Sequence, residues 1–261
     1  MTDGGAPFDA HAADWRSHTS TPWGRVRYAV VRHVLADHLG DVRAGAPRRS
    51  VLDVGGADGL DAAPLAALGH DVVVLDPAEG LLADAAARGL SVRSGGLDDL
   101  PGVDPVDAVL CHYVLQYRPD EVADVALLAG ALRPGGLLSV VLPNPAHRVL
   151  MAFLRQGPEA ALAQVDAPTA RTVTFGTTVR AVSLEDTLHA VHAAGLEVVE
   201  VFGLRIAGDL MLDNAPKSDP VFYAAWERLE VELSRREPFC RLGQSFGVLA
   251  RRPPALTPAP S

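Results

Sequence analysis

A short apolar run leads straight into a glycine turn in the stretch Val51-Leu52-Asp53-Val54-Gly55-Gly56-Ala57-Asp58-Gly59. An apolar run of this length bounded by glycine predicts a buried strand, and glycine lets a ligand come close to the backbone of the turn. If the strand belongs to a parallel sheet, the turn lies at its carboxyl end, where such sheets form their binding crevice. The stretch therefore predicts a site for a charged nucleoside.

Apolar strands and amphipathic helices alternate along most of the chain. Beyond the first strand, strands are predicted at 71–76, 91–93, 107–111, 137–142, 197–202 and 246–250. Helices are predicted at 25–39, 60–68, 79–88, 121–132, 183–195 and 220–236, the last with a core-facing stripe formed by Trp226, Leu229 and Leu233. Regular alternation is the signature of a doubly wound sheet. We expect an α/β, Rossmann-like fold with a seven-stranded, mostly parallel sheet and helices on both faces.

Glycine and proline divide the chain into segments. Residues 1–20 are predicted to be a flexible N-terminal arm, residues 21–252 one domain, and residues 253–261 a disordered, proline-rich tail. Between about 144 and 182, prolines and glycines interrupt two short amphipathic pieces. This pattern predicts a helical lid inserted into the domain.

Composition and charge limit the classes of function. The chain has 261 residues, 48% of them hydrophobic and 21% charged, which is typical of a globular enzyme. The net charge of −9 disfavours broad attraction to nucleic acid. The two cysteines form no Cys-x-x-Cys pair, so we expect no metal site, and no export or membrane segment is evident. We expect a cytoplasmic protein, and the sequence leaves its oligomeric state open.

Three acidic residues stand where a bound nucleoside needs hydrogen-bond acceptors. Asp76 ends the second strand, where it can bind ribose hydroxyls or, alternatively, cap the next helix. Asp98 follows the third strand, where it can accept from the adenine amine or be an ordinary loop acid. Asp53 is expected to act indirectly, by holding the glycine loop through backbone N–H groups.

The glycine turn, the acids at 76 and 98 and the Arg133-Pro134-Gly135-Gly136 turn occur in an order that resembles the class I S-adenosylmethionine (SAM)-dependent methyltransferases over residues 45–145. Ala57 stands where that family usually has its middle glycine. The resemblance implies SAM as the cofactor. It also implies a set of cofactor-binding residues: Asp53, Gly55, Gly56, Gly59, Asp76, Pro77, Leu97, Asp98, Cys111 and His112.

A narrower resemblance covers nearly the whole chain. The segments at 8–9, 23–27, 111–117, 203–206 and 237–243, together with Asn144, are similar to the bacterial tRNA carboxymethoxyuridine carboxyl methyltransferase family. This similarity implies that Arg27 reaches the methionine carboxylate of the cofactor and that Arg205 lies near the carboxylate of the substrate. A guanidinium binds a carboxylate bidentately, whereas the alternative for Arg27 is a solvated helix arginine.

Two departures from that family bear on the acceptor. Asp166-Ala167-Pro168-Thr169-Ala170-Arg171 stands where the family has a run of lysines, and Ala207-Gly208-Asp209 replaces an aromatic residue and a histidine. A surface that follows phosphates needs clustered cations. We therefore expect a small, carboxylate-bearing metabolite as the methyl acceptor, with tRNA as the less favoured partner. A SAM-binding protein without turnover is the alternative from another class.

Methyl transfer from a sulfonium is an in-line displacement, so the enzyme's main task is to position the two reactants. Arg205 is expected to position the acceptor, and Asn144 to lie beside it. His112, just beyond the fourth strand, is a candidate general base or, alternatively, a histidine that packs under the adenine or bonds to backbone. Tyr113 can form a wall of the acceptor pocket. The predicted catalytic group is thus His112, Tyr113, Asn144 and Arg205.

Overall fold

The computed structural model describes residues 6–172 and 176–255. Its strands are β1 Ser50–Val54, β2 Asp71–Asp76, β3 Ser91–Ser94, β4 Val106–His112, β5 Leu132–Pro143, β6 Thr169–Arg171, β7 Thr178–Arg180, β8 Glu197–Leu204 and β9 Ser245–Arg251. Seven of them form one sheet in the order β3-β2-β1-β4-β5-β9-β8, and β6 and β7 form a separate hairpin. The first five strands run parallel, and β9 is antiparallel to both of its neighbours. The predicted fold class is confirmed.

The helices are α1 Ala6–Asp9, α2 Ala12–Ser20, α3 Pro22–Leu39, α4 Ala62–Ala67, α5 Glu79–Ala87, α6 Glu121–Gly130, α7 Pro145–Gln156, α8 Pro158–Val165, α9 Leu184–Ala193 and α10 Pro220–Ser234. Side chains at cap positions fix several of the starts. Asp120, Ser183 and Asp219 accept backbone N–H groups of the first turns of α6, α9 and α10. Within the described residues, no helix is both long and apolar enough to cross a membrane.

Apolar side chains cover both faces of the sheet because successive residues of a strand point to opposite sides. Leu52 and Val54 of β1 belong to a core cluster that includes residues of α6 and α9. Val51 of the same strand belongs to the opposite cluster, with residues of α3, α4 and α5. Helices therefore pack on both faces, as a doubly wound sheet requires.

The strand order reverses between β1 and β4. From β1 the chain continues through β2 to β3 on one side, and β4 returns to pair with β1 on the other side. In sheets of this kind, the crevice outside the carboxyl ends of the strands at the reversal is the usual ligand site. The glycine turn after β1 and His112 at the end of β4 therefore lie on the two sides of this crevice.

The N-terminal segment differs from the expected flexible arm, because residues 6–9 and 12–20 are helical. Helix α2 buries Ala12 and Thr19, and the indole N–H of Trp15 donates to Asp58 Oδ1 at 2.9 Å. These contacts anchor the helix to the glycine turn, which explains why the segment is ordered although its own sequence is polar. Residues 1–5 of the expected arm and 256–261 of the expected tail lie outside the described part of the chain.

Two further segments depart from the sequence-based prediction. The Arg133–Gly136 turn is part of a longer strand β5, in which Gly135 N–H donates to the carbonyl of Arg252 at 2.9 Å. The insertion expected at about 144–182 contains the two helical pieces as α7 and α8, followed by the β6–β7 hairpin, which the sequence did not indicate.

Candidate functional site

The turn after β1 has three residues with left-handed backbone. Gly55, Ala57 and Gly59 have φ values of 69°, 48° and 74°. A non-glycine residue at positive φ is uncommon and needs support from its surroundings. Asp76 supplies that support, because its Oδ2 accepts the Ala57 N–H at 2.9 Å. The carboxylate at the end of β2 thus stabilises an alanine where a third left-handed glycine would be expected.

Neighbouring side chains require glycine at several positions of this turn. A Cβ added to Gly55 would overlap Val114, and one added to Gly56 would come within 2.6 Å of Asp53 Oδ2. A Cβ on Gly59 would overlap Leu90. The glycines therefore serve the packing of the turn as well as the close approach of a ligand.

Asp76 is tied to backbone at both carboxylate oxygens. Oδ1 accepts the N–H of Ala78 at 2.8 Å, in addition to the bond from Ala57 to Oδ2. Burial raises the pKa of Asp76, and the two backbone N–H groups partly offset this. Each oxygen keeps a second lone pair. Asp76 thus holds the glycine turn and the residue before α5 rather than capping the first turn of that helix, and capacity to accept a further hydroxyl remains.

A small cavity of about 30 Å³ lies over the turn. This volume suffices for one or two water molecules but not for a nucleoside. Its lining includes six of the predicted site residues: Arg27, Asp53, Gly55, Gly56, His112 and Tyr113. Trp15 of α2 also lines it. The structure thus brings these residues together, in a conformation that must open for a nucleoside to enter.

Arg27 and Asp61 form a buried ion pair at 2.7 Å, with each side chain less than a tenth exposed. The guanidinium lies over the rings of Tyr28 and Tyr113, at 4.2 and 4.9 Å from their centres. Burial lowers the pKa of Arg27, but Asp61 and these two phenols raise it more strongly, so it stays protonated. Arg27 is therefore not a solvated helix arginine but a fixed cation at the wall of the cavity.

The same aspartate holds His112. Nδ1 of His112 is hydrogen-bonded to Asp61 Oδ2 at 2.8 Å, and Nε2 is hydrogen-bonded to Ser139 Oγ at 2.8 Å. Burial raises the pKa of Asp61, but Arg27 and His112 lower it to a net value below the ordinary one. Both ring nitrogens of His112 are occupied by protein groups, so in this arrangement the histidine has no free nitrogen for a substrate proton. The structure does not support its predicted role as general base.

Asp53 contributes a carboxyl group with one unsatisfied oxygen to the cavity. Its side chain is buried, and no other group in the described residues bonds to Oδ2. Burial and the negative charge of Asp61 raise its pKa well above the ordinary value. A ligand that brings a positive charge would satisfy this oxygen. With the Arg27–Asp61 pair, the cavity offers one cation and two carboxylates to an incoming zwitterion.

Tyr113 follows β4 in a strained backbone conformation, with φ of 58°. Its hydroxyl donates to Ser245 Oγ at 2.7 Å, which anchors the ring to β9. Strain of this kind persists only where the surroundings hold it, and it is common at ligand sites. Tyr113 lines the cavity over the turn, and its role as a wall of the acceptor pocket stays a prediction.

Arg205 also has positive φ, 56°, and forms a bidentate pair with Asp209. His147 Nε2 lies 3.6 Å from the same carboxylate. Burial raises the pKa of Asp209, but His147 and Arg205 lower it to a net value of about 2. The charge of Arg205 is therefore already balanced within the protein, and Arg205 does not line the cavity over the turn.

The side chain of Asn144 forms hydrogen bonds with backbone groups. Its Oδ1 accepts the N–H of Ala146 and so caps α7, while Nδ2 donates to the carbonyls of Arg241 and Gly243. The two Nδ2 bonds join the start of the insertion to the segment before β9. Asn144 therefore has an anchoring position, and the structure does not bring it to the cavity as the catalytic prediction required.

The remaining predicted cofactor residues have local roles. Leu97 and Cys111 are buried in the core, and burial raises the pKa of the Cys111 thiol. Asp98 is exposed and pairs with Arg118 at 2.7 Å. Pro77 is half-buried, directly after Asp76. None of the four lines the cavity over the turn.

Sequence reasoning missed Asp58, Asp61, Trp15 and Ser139. Asp58 and Asp61 are three residues apart after the glycine turn, and this spacing in a helical start was the one available signal. Asp58 receives the Trp15 indole and the Arg88 guanidinium, both at 2.9 Å. No local pattern marked Trp15 or Ser139, because each meets its partner only through packing. In the part of the chain that the structure describes, no group of three metal-binding side chains occurs.

Comparison with known sequences gives one family and several relatives. A family model described as a methyltransferase domain matches residues 24–201. The chain is 28% identical to the tRNA 5-carboxymethoxyuridine methyltransferase of Escherichia coli K12, over 91% of this chain and 92% of that protein. It is 35% identical to a trans-aconitate 2-methyltransferase of Methylobacterium radiotolerans, over 57% of this chain and 58% of that protein.

Solved structures agree on the fold. A SAM-dependent methyltransferase of Thermotoga maritima, titled a possible histamine N-methyltransferase, superposes with a TM-score of 0.59 at 18% identity, covering 95% of this chain and 99% of that one. Magnesium protoporphyrin IX methyltransferase of Synechocystis, solved with S-adenosylhomocysteine, gives 0.59 at 16% identity, over 92% and 93%. At these identities the similarity shows the fold alone.

Proposed function

The chain belongs to the methyltransferase domain family and is a SAM-dependent methyltransferase, and we propose that its acceptor is a small metabolite that carries a carboxylate. The alternative of a SAM-binding protein without turnover is not retained.

The residues at the cavity fit the cofactor by charge. We assign Arg27 to the methionine carboxylate and Asp61 to the methionine ammonium. Each residue of the ion pair then binds the cofactor group of opposite charge. Asp53, with its unsatisfied oxygen, provides a further hydrogen-bond acceptor for the ammonium in the same cavity. When bound, the cofactor supplies an electrophilic methyl group on a positively charged sulfur. Asp76 accepts from the ribose in this proposal.

The observation that carries the acceptor class is the engagement of both His112 nitrogens by Asp61 and Ser139. An amine, amide or phenol more often needs a proton acceptor during methylation. A carboxylate is already ionised near neutral pH and needs none. A site at the end of β4 with its histidine fixed on both sides therefore favours a carboxylate oxygen as the nucleophile.

Arg205 is the proposed positioning residue for the acceptor. Its Nε and Nη2 bind Asp209, which leaves Nη1 for an incoming carboxylate. The Asp209 contact fixes the direction of the guanidinium and limits the entropy lost on binding. Its strained backbone directly follows β8, as Tyr113 directly follows β4 of the same sheet.

The direct test is methyl transfer from radiolabelled SAM to a deproteinised, nucleic-acid-free metabolite extract. Methyl esters hydrolyse in mild base and release volatile methanol, whereas N-methyl products do not. We expect base-labile label in the small-molecule fraction. Label that survives base, or no incorporation into this fraction, would contradict the proposal.

Variants of Arg205 test its role. Arg205→Asn is suitable because asparagine tolerates positive φ, and we expect it to raise KM for the acceptor at least tenfold with little change in cofactor affinity. Arg241→Asn is the control, since Arg241 is an exposed arginine that pairs with Glu237. Equal kinetic effects of the two substitutions would remove Arg205 from the acceptor site.

Methylation of tRNA is the second candidate, because the E. coli tRNA methyltransferase aligns along nearly the full length of both proteins. It involves the same carboxylate chemistry on a polymeric carrier. The net charge of −9 opposes it. Bulk tRNA from a strain that lacks the E. coli enzyme is the test substrate, and base-labile label in that tRNA, absent from wild-type tRNA, would replace the metabolite proposal.

A further inference from the structure

A second cavity, of about 240 Å³, lies between α10 and the segment that follows β8. Mostly apolar side chains line it: Ala207, Gly208, Met211, Lys217, Phe222, Ala225, Trp226 and Leu229. None of these residues lines the cavity over the glycine turn. Leu229, expected to face the core, is about half exposed at this cavity instead, and Met211 is also exposed. The cavity therefore has an apolar opening to the surface.

Lys217 is the one charged residue among the lining residues, and it is only 3% exposed. Its Nζ donates to the carbonyl of Met211 at 2.8 Å and to Asn214 Oδ1 at 2.7 Å, and both acceptors are neutral. No carboxylate within the described residues forms an ion pair with it. Burial lowers the pKa of Lys217, which Asp209 partly offsets and Arg205 and Arg155 reinforce. A buried ammonium without a counter-ion is costly.

The wall formed by Trp226 and the loop after β8 is held in place by hydrogen bonds within the protein. The Trp226 indole N–H donates to Glu230 Oε1 at 2.7 Å. Glu230 is fully buried and also accepts the backbone N–H groups of Ile206, Ala207 and Gly208. A Cβ on Gly208 would overlap the indole ring, so backbone and ring are in close contact. One carboxylate thus fixes both the ring and the loop, and the cavity is a built feature of the fold.

We propose that this cavity binds a small apolar monocarboxylate, with its carboxylate at Lys217 and its apolar body against Trp226 and Phe222. A cavity of about 150 Å³ holds benzene, so a volume of 240 Å³ suits a ligand of roughly ten non-hydrogen atoms. The carboxylate supplies the counter-ion that Lys217 lacks. An amine would add a like charge, and a neutral ligand would leave the ammonium unpaired. This site goes beyond the proposed function and does not depend on it.

Phenylacetate is the probe, because it has the required charge and about the required size. Calorimetry without SAM should show saturable one-to-one binding, at least tenfold tighter than that of phenylacetamide, its neutral counterpart of equal size. Phenethylamine should not bind. In a Trp15→Phe, Trp23→Phe background, Trp226 is the only tryptophan left, and phenylacetate should change its emission.

Two variants distinguish the contribution of the Lys217 charge to binding from that of the cavity volume. Lys217→Gln should abolish the preference for phenylacetate over phenylacetamide. Ala225→Leu, which keeps Lys217 and fills the cavity from an exposed helix position, should weaken both ligands at least tenfold. Ala224→Leu is its matched control, because Ala224 is also exposed on α10 but does not line the cavity.

Three results would overturn the proposal: no saturable binding of phenylacetate, equal binding of phenylacetamide, or binding unaffected by Ala225→Leu. None of these binding assays includes methyl transfer, so their results do not depend on whether the proposed methyl acceptor is correct. Likewise, a negative result for phenylacetate binding would not change the results expected in the methylation assays.

Discussion

Arg27, Asp61 and His112 form a buried hydrogen-bonded chain, in which Asp61 accepts from Arg27 and also bonds to the His112 ring. Breaking such a pair by removing one partner usually costs about 3 to 5 kcal/mol, because the other charge stays buried and uncompensated. A ligand that carries both charges can replace the partners without that cost. The same residues can therefore stabilise the free protein and recognise a zwitterion.

Asp209 makes stability sensitive to acid. Its pKa in the folded protein is about 2, below the usual value near 3.9. A depressed pKa contributes stability above the unfolded value, and that contribution is lost as pH falls through the folded value. The free energy of unfolding should therefore fall between pH 4 and pH 2 more steeply in wild type than in Asp209→Asn.

Denaturant titrations at half-unit pH steps measure this difference. Asp166→Asn is the control, since Asp166 is exposed in the insertion, and its profile should run parallel to that of wild type. Parallel profiles for wild type and Asp209→Asn would show that the Arg205 and His147 contacts do not perturb Asp209.

The sequence could indicate residues whose place follows from chain position. Asp53, Gly55 and Gly56 line the cavity because the turn follows the first strand directly, whereas Arg27 reaches it from α3 and was indicated only by the family resemblance. Asp61 and Ser139 were missed since their partner His112 lies 51 and 27 residues away, and no local pattern reports such a distance. Asn144 and Arg205 have side chains that could bind an acceptor. Asn144, however, is already bonded to nearby backbone, and Arg205 is already paired with Asp209.

At the scale of elements, helix α10 fixes the loop after β8 through one buried carboxylate, Glu230. Glu230→Gln replaces one accepting oxygen by an amide donor, so at least one buried N–H loses its partner. Each such loss costs about 1 to 3 kcal/mol. We expect the free energy of unfolding to fall by about 2 to 4 kcal/mol, measured by denaturant titration.

Glu232→Gln is the matched control for this helix. Glu232 is exposed and pairs only with Arg236, one turn away, so its replacement should change stability by less than about 0.5 kcal/mol. Similar losses in the two variants would mean that Glu230 acts through the general charge of α10 rather than through its backbone contacts.

Helix α2 covers the glycine turn through the contact between Trp15 and Asp58. The cavity beneath it has room for only one or two water molecules, and we expect this helix or its side chains to move when the cofactor enters. Trp15→Phe removes the hydrogen bond and should increase hydrogen exchange of the amides of 12–20 in the free protein. Amides of α9, on the far side of the sheet, should be unchanged.

Exchange measured by mass spectrometry should slow at 12–20 when S-adenosylhomocysteine is added. The same exchange with and without this ligand would show that α2 is not the part that opens.

Most elements could be predicted from periodicity, because buried strands of a parallel sheet are nearly continuous apolar runs. Helix α2 could not, since its sequence is polar and its order comes from contacts with distant residues. The β6–β7 hairpin was missed for a different reason, namely that strands of three residues are too short to show a detectable alternation.

At the scale of the whole molecule, topology decides where the site is, and the insertions decide what it accepts. The reversal of strand order between β1 and β4 could be predicted from the alternation of strands and helices. The packing of α7, α8 and the loop after β8 could not, because folds of this class carry such insertions with different functions. The acceptor is therefore inferred from side chains and charge rather than from the fold.

We propose that the Arg27–Asp61 pair at the turn after β1 receives the amino-acid end of the cofactor. The test is a calorimetric titration of wild type and Arg27→Ala with two ligands. One is S-adenosylhomocysteine, and the other is 5′-methylthioadenosine, which lacks the amino-acid end. We predict that the substitution weakens the first ligand by about 1.5 to 3 kcal/mol and leaves the second within about 0.5 kcal/mol, which also reports an intact fold. Equal weakening of both ligands, or unchanged affinity for S-adenosylhomocysteine, would contradict the account.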